Sequence, residues 1–233
     1  MSEIKLYWTK RLAVYIFGVI LMSIGVAFVI QAGIGVAPGS VISYAASKLT
    51  IFSVGICTSI FYVLCVLIQF SVIRRLTANL VLQLPITIVF GQLIDLFLWL
   101  LPITPDNLFL AILLLCAGNL LFSLGIRAIA GANLVLMPPD NMARTVGAML
   151  GWSLAKAKLI FDIIFTTTAA LMMFGFSGDV FSVVGIGTII CAIGTGPSIG
   201  LFTKLMPFLD VAQDEQDELI KQNKVSEKVI EIN

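Results

Sequence analysis

Gln31-Ala-Gly-Ile-Gly-Val-Ala-Pro38-Gly-Ser40 and Gly131-Ala-Asn-Leu-Val-Leu-Met-Pro138-Pro-Asp-Asn141 stand one hundred residues apart and share one plan. Each is an apolar, glycine-containing approach strand that meets a proline. About twelve helix-compatible residues run on from each proline, to Leu49 in the first and to Leu150 in the second. Proline suits the first turn of a helix, where its missing N–H is not needed. Twelve residues rise only about 18 Å, too short to cross a bilayer. The plan predicts two half-helices that begin at Pro38 and Pro138. The plainer alternative is a pair of amphipathic helices lying flat on the membrane surface. The approach strands are too apolar for ordinary loops, and a run of 10–14 apolar residues reads as re-entrant or interfacial. If re-entrant, the two helix starts converge near the midplane, where unpaired N–H groups and dipole ends suit a ligand. Irregular backbone survives at that depth only when buried in protein or lining a wet cavity.

The same spacing runs through the chain. At an offset of one hundred, Gly18 falls on Gly118, Leu21 on Leu121, Ser23 on Ser123 and Gly25 on Gly125. Ala32 falls on Ala132, Ser53 on Ser153 and Ile60-Phe61 on Ile160-Phe161. A weaker echo follows at 105, with Gly91/Gly196, Ile94/Ile199, Leu96-Phe97/Leu201-Phe202 and Pro102/Pro207. The aligned glycines and prolines carry most weight, because they mark constrained backbone.

The surroundings are those of a bilayer. Apolar residues make up 59% of the 233-residue chain and charged residues 12%, against about 45–50% and 25% in soluble domains. Mean hydropathy is +1.07. Six stretches, near 11–31, 54–73, 80–101, 107–129, 154–175 and 181–205, approach the roughly 20 residues a span needs. The first follows basic residues as a signal peptide would, but has no convincing small-x-small cleavage site and reads as a retained span. Lys5, Lys10, Arg11, Arg74, Arg75, Arg127, Arg144, Lys156, Lys158 and Lys204 fall at alternate ends of the spans; Lys48, Asp106 and Asp179 are the only charges on the other links. This asymmetry predicts cytoplasmic termini. With three crossings per half, the fold class is an all-α polytopic membrane protein. Its six spans form two inverted three-helix repeats, 11–103 and 104–207, each with a re-entrant half-helix. They are flanked by a cytoplasmic segment, 1–10, and a polar cytoplasmic tail, 208–233. Cys57, Cys65, Cys116 and Cys191 lie in apolar segments without CxxC spacing and read as core residues. The chain has no histidine, and neither a metal nor another cofactor is expected. A net charge of +1 implies no nucleic-acid partner. Association with further copies of the chain is compatible with this reading.

Charges inside spans are costly and usually mark a site. Asn119, Ser123 and Arg127 share one face of the fourth span; Lys158, Asp162 and Thr166 share one of the fifth; Gln92, Asp95 and Trp99 form a stripe on the third. The second half holds the charges: Arg127 replaces Ala27, Asp140 replaces Ser40, Arg144 replaces Tyr44, Lys158 replaces Thr58 and Asp162 replaces Tyr62. The expected solute-binding residues are Pro38, Gly39, Ser40, Asn119, Arg127, Pro138, Asp140, Asn141 and Arg144. Asp95, Asp162 and Lys158 are expected to couple an ion or proton. Each has a plainer reading. Arg127, Lys156 and Lys158 can snorkel to the interface, Asp140 can cap its helix, and Lys158 can neutralise Asp162. The Gly194-Thr-Gly-Pro-Ser-Ile-Gly200 run predicts a broken or kinked sixth span.

Ala32-Gly-Ile-Gly-Val-Ala-Pro38, Leu93-Ile-Asp95-Leu-Phe, Ala132-Asn-Leu-Val-Leu-Met-Pro138 and Lys158-Leu-Ile-Phe-Asp162 resemble signatures of the YczE/YyaS/YitT-type bacterial integral membrane proteins. The resemblance covers about residues 11 to 207. It implies a bacterial cytoplasmic-membrane protein and no particular substrate. Ala37-Pro-Gly-Ser replaces that family's more usual Ser-Pro with a following aromatic. The expected function is a secondary carrier for a small polar organic solute, anionic or zwitterionic. The alternatives are a channel of the same fold and a non-transporting scaffold or sensor. An intramembrane enzyme is the least favoured, because Asp95 follows Gly91-Gln-Leu-Ile and not a GxGD motif.

Overall fold

The computed structural model describes residues 2–212, with side chains from residue 7 onward. The described residues form eight α-helices and no strand: α1 (Ser2–Gln31), α2 (Pro38–Leu49), α3 (Val54–Ile73), α4 (Ala78–Leu100), α5 (Leu108–Ala132), α6 (Pro138–Met149), α7 (Leu154–Phe176) and α8 (Ile186–Leu205). Six of them are long and apolar enough to cross a membrane, the helices of a multi-pass membrane protein. Residues 213–233, most of the expected polar tail, lie outside the described residues.

The two halves share one element order: long, short, long, long. Local sequence sets the boundaries. Ser53, Thr77, Asn107 and Ser153 cap α3, α4, α5 and α7, each side-chain oxygen accepting from a backbone N–H three residues on, which satisfies one of the orphan donors of the first turn. The short helices start differently. Pro38 and Pro138 occupy their first turns, and the preceding Ala37 and Met137 have the same extended backbone, φ −61° and ψ 143°. Both prolines are buried. Arg74 and Asn133 end α3 and α5 in the left-handed region, a conformation that asparagine tolerates well.

α1 and α5 form the central and most extensive contact. They cross on glycine. A methyl group on Gly18 would lie 2.9 Å from the Gly125 carbonyl oxygen, and one on Gly118 would lie 2.8 Å from that of Gly25. Small residues let apolar helices approach backbone to backbone, where dispersion replaces the missing hydrophobic drive. The helices run antiparallel: Arg11, near the start of α1, donates to the Ala132 and Asn133 carbonyls at the end of α5. α4 packs on α1 and α8 on α5. α2 lies against α3 and α7, and α6 against the same two helices.

The sixth span is not interrupted. α8 continues through Pro197 as one helix, because a backbone opened in hydrocarbon finds no water to satisfy it. The segment after α8 packs back onto α5. Leu209 and Val211 are buried, and the Leu209 carbonyl lies so close to Gly131 that no side chain fits there.

Candidate functional site

The starts of α2 and α6 meet the middle of the bundle at a cavity of about 560 Å³. Its wall includes three pairs of positions one hundred residues apart: Met22 and Phe122, Gly39 and Pro139, and Tyr62 and Asp162. Ala37, Pro38 and Asp140 flank the helix starts, and the remaining wall comes from one side only, Leu154 to Asp162 of α7 and Cys191 to Ile199 of α8. A second cavity of about 390 Å³ shares Asp140, Leu154, Lys158 and Ile199 with the first and adds Asn79, Asn133 and Arg144.

One cation joins two carboxylates in the shared wall. Lys158 Nζ lies 2.9 Å from an Asp140 oxygen and 3.4 Å from an Asp162 oxygen. Two elements build this chain of charge. Lys158 and Asp162 are one turn apart on α7, and Asp140 sits in the first turn of α6. All three side chains are partly exposed, to between 21% and 41%. They therefore face the cavity and are not sealed in the core. The cluster alone carries one excess negative charge, and Arg144 in the adjoining cavity offsets it.

The placement of α6 depends on a buried amide network. Gln69 donates to the Pro138 carbonyl at 3.2 Å and to Gln83 at 3.1 Å, and its own oxygen accepts from Asn141 at 2.7 Å. Gln69 and Gln83 are fully buried. An amide in that position must be paired, so the network holds the start of α6 against α3 and α4.

The expected site residues divide three ways. Pro38, Gly39, Asp140, Lys158 and Asp162 line the main cavity, and Arg144 the adjoining one. A methyl group on Gly39 would meet open space. Asn119 sits behind the wall and accepts a 2.8 Å hydrogen bond from Thr195, which lines it. The others point elsewhere. Ser40 is buried, and its amide donates to the Ala37 carbonyl. Pro138 and Asn141 are engaged with Gln69. Arg127 is buried and paired with Asp210 at 2.6 Å, while its Nε has no hydrogen-bond partner among the described residues. Asp95 lies between α3 and α4, accepting from the Ser53 hydroxyl at 2.5 Å and the Gly55 amide at 2.7 Å. Its stripe does not hold together as a face: Gln92 and Trp99 are exposed. Sequence reasoning missed Gln69, Gln83, Thr195 and Pro139. The two glutamines carried a usable signal, an amide deep within an apolar span.

The sequence model of a family described as a family of unknown function, DUF6198, matches residues 9–204. The chain belongs to this family. The match includes every cavity-lining residue named above, so the cavity and its charged cluster lie within the DUF6198 region. No curated protein matches the chain, and no solved structure does.

Proposed function

We propose that the protein is a membrane carrier of the secondary type for a small organic solute bearing both charges, with Asp140, Lys158 and Asp162 as its polar recognition cluster. The observation that carries this reading is that cluster, partly exposed in a cavity where the starts of two short helices meet inside six apolar helices. Ionisable groups at such depth usually serve a pathway or site. Two acids and two bases line the joined cavities, and a zwitterion offers a partner to each sign. Gly39, open to the cavity in the first turn of α2, leaves room for an anionic end at the positive end of that helix. Asp140 and Asp162 take the cationic end or a coupling ion.

The architecture of the reading is a pair of inverted repeats with re-entrant short helices. The antiparallel α1–α5 crossing supports it: the glycine contact 18–125 becomes 118–25 when the halves are exchanged, as a two-fold axis in the membrane plane requires. The buried prolines of α2 and α6 and their matching entry geometry support it further. With cytoplasmic termini, as the Lys/Arg asymmetry suggests, the α7–α8 side of the cavity faces the cytoplasm. The signatures resembling the YczE/YyaS/YitT type support a bacterial cytoplasmic membrane as its location.

The test is uptake by proteoliposomes against a panel of amino-acid-like zwitterions, carboxylates and amines, with thermal shift alongside. Saturable uptake of zwitterions is expected. A linear, non-saturating flux favours a channel of the same fold. Stabilisation by amines or inorganic cations alone, without response to any carboxylate, overturns the zwitterion assignment.

A further inference from the structure

The two halves differ at one contact. α3 packs closely on α4, whereas their counterparts α7 and α8 barely touch. The α3–α4 seam is closed by small residues. Gly55 and Gly91 lie so near that a methyl group on either runs into the other helix's backbone. Asp95 of α4 then ties the seam shut at the start of α3, through the Ser53 hydroxyl and the Gly55 amide.

The corresponding surfaces of α7 and α8 are equally small but apart. Ala155 stands where Gly55 stands and is exposed, while Gly55 is buried. Gly196 stands where Gly91 stands, and a methyl group there meets nothing. Ile199, the counterpart of fully buried Ile94, lines the cavity instead. Thus the one-sided part of the cavity wall is the surface that its counterpart hides by packing. Gly200 occupies the position of Asp95 at the 105 offset, so this seam has no carboxylate to tie it. Small faces left apart in a bilayer gain dispersion when they close.

The geometry points to two alternating gates: the α7–α8 seam closes through Ala155 against Gly196 when the α3–α4 seam, released at Asp95, opens on the opposite side of the cavity. This rests on the carrier reading and supplies its access mechanism. The present arrangement is then one end state. In the other, α7 and α8 adopt the packing now seen for α3 and α4. Asp95 acts as the latch that sets the balance between them and does not contact solute.

The test uses the full chain in proteoliposomes, with the four native cysteines replaced and Ala155→Cys/Gly196→Cys introduced. Oxidation with copper phenanthroline is read as loss of free thiols. A disulfide is expected to form, and Asp95→Ala should raise its rate about tenfold, the population shift expected from losing a pair of carboxylate hydrogen bonds. In parallel, Ser59→Cys between α3 and α4 should resist an impermeant maleimide and become reactive when Asp95 is Ala. If Asp95→Ala does not accumulate as folded protein, Ser53→Ala removes one of the two latch bonds and should shift both readouts the same way. Thiols at 155 and 196 that never cross-link, or cross-link at a rate indifferent to the latch, overturn the proposal. The readout needs no solute. A latch-dependent cross-link without uptake of any panel compound would leave the gates standing and the carrier reading without support.

Discussion

At the scale of single residues, the contrast between Asp162 and Arg127 is instructive. Both are charges on interior helix faces, and sequence alone marks both as candidates for the site. Asp162 faces the cavity with Lys158 one turn away, whereas Arg127 is consumed by Asp210, 83 residues further along the chain. No local pattern discloses that pairing, because it depends on how the chain folds back after α8. On the carrier reading, Asp162→Asn removes one charge-assisted contact worth about 1.5–3 kcal/mol, which lowers solute affinity by about ten- to a hundredfold. Titration by calorimetry on inserted, monodisperse protein measures this. Unchanged affinity would reduce Asp162 to a structural neighbour of Lys158. Gln69 makes a separate prediction. Gln69→Leu leaves the Pro138 carbonyl, Gln83 and Asn141 short of partners and should cost about 1–3 kcal/mol. A lowered unfolding temperature in detergent is the expected signal; a rise would show that the network does not hold α6.

Among the elements, the short helices were the most legible part of the fold. Proline after an apolar strand, a length that cannot span, and the hundred-residue echo together placed their starts, and both begin at the expected proline. The side chains following those prolines were less legible. Ser40 and Asn141 turn into the protein, while Gly39 and Asp140 turn to the cavity, and one residue of helical rotation separates the two outcomes. Periodicity cannot say which face meets the cavity when the helix has protein on several sides. The Gly194–Gly200 run does not break α8: glycine and proline end helices readily in water, but a backbone opened in hydrocarbon finds no water to satisfy it. The long crossing of α1 on α5 makes the prediction at this scale. Gly118→Leu places a side chain against the Gly25 carbonyl and Val29 amide. Overpacking of this kind costs about 1–3 kcal/mol, so the variant should lose folded yield and thermal stability. Gly175→Leu, where a methyl group meets nothing, is the matched control and should retain both.

For the molecule as a whole, composition and hydropathy foretold six spans, and six suitable helices are present. The cavity was foretold only as a meeting of helix starts; its one-sided wall depends on which seam is packed, a property of the conformation and not of any segment. Orientation is directly measurable. Impermeant labels at the amino terminus and at Asp106 should react from opposite faces of sealed vesicles, the terminus from the cytoplasmic face. Labels that react from the same face would end the three-crossing arrangement of the first half. The glycine crossing has a consequence for how the gene can be divided. Each half offers the other the same backbone-exposed groove, and the only stretch joining them is the short 101–107 link. Two separate polypeptides, cut between Thr104 and Pro105, therefore retain every surface needed to find one another. Co-expressed, they should co-purify as a one-to-one pair, while the first fragment alone, its groove uncovered, should be degraded or should pair with itself head to tail. Such self-pairing would make a half-length ancestor, inserted in both orientations, a sufficient starting point for the present chain.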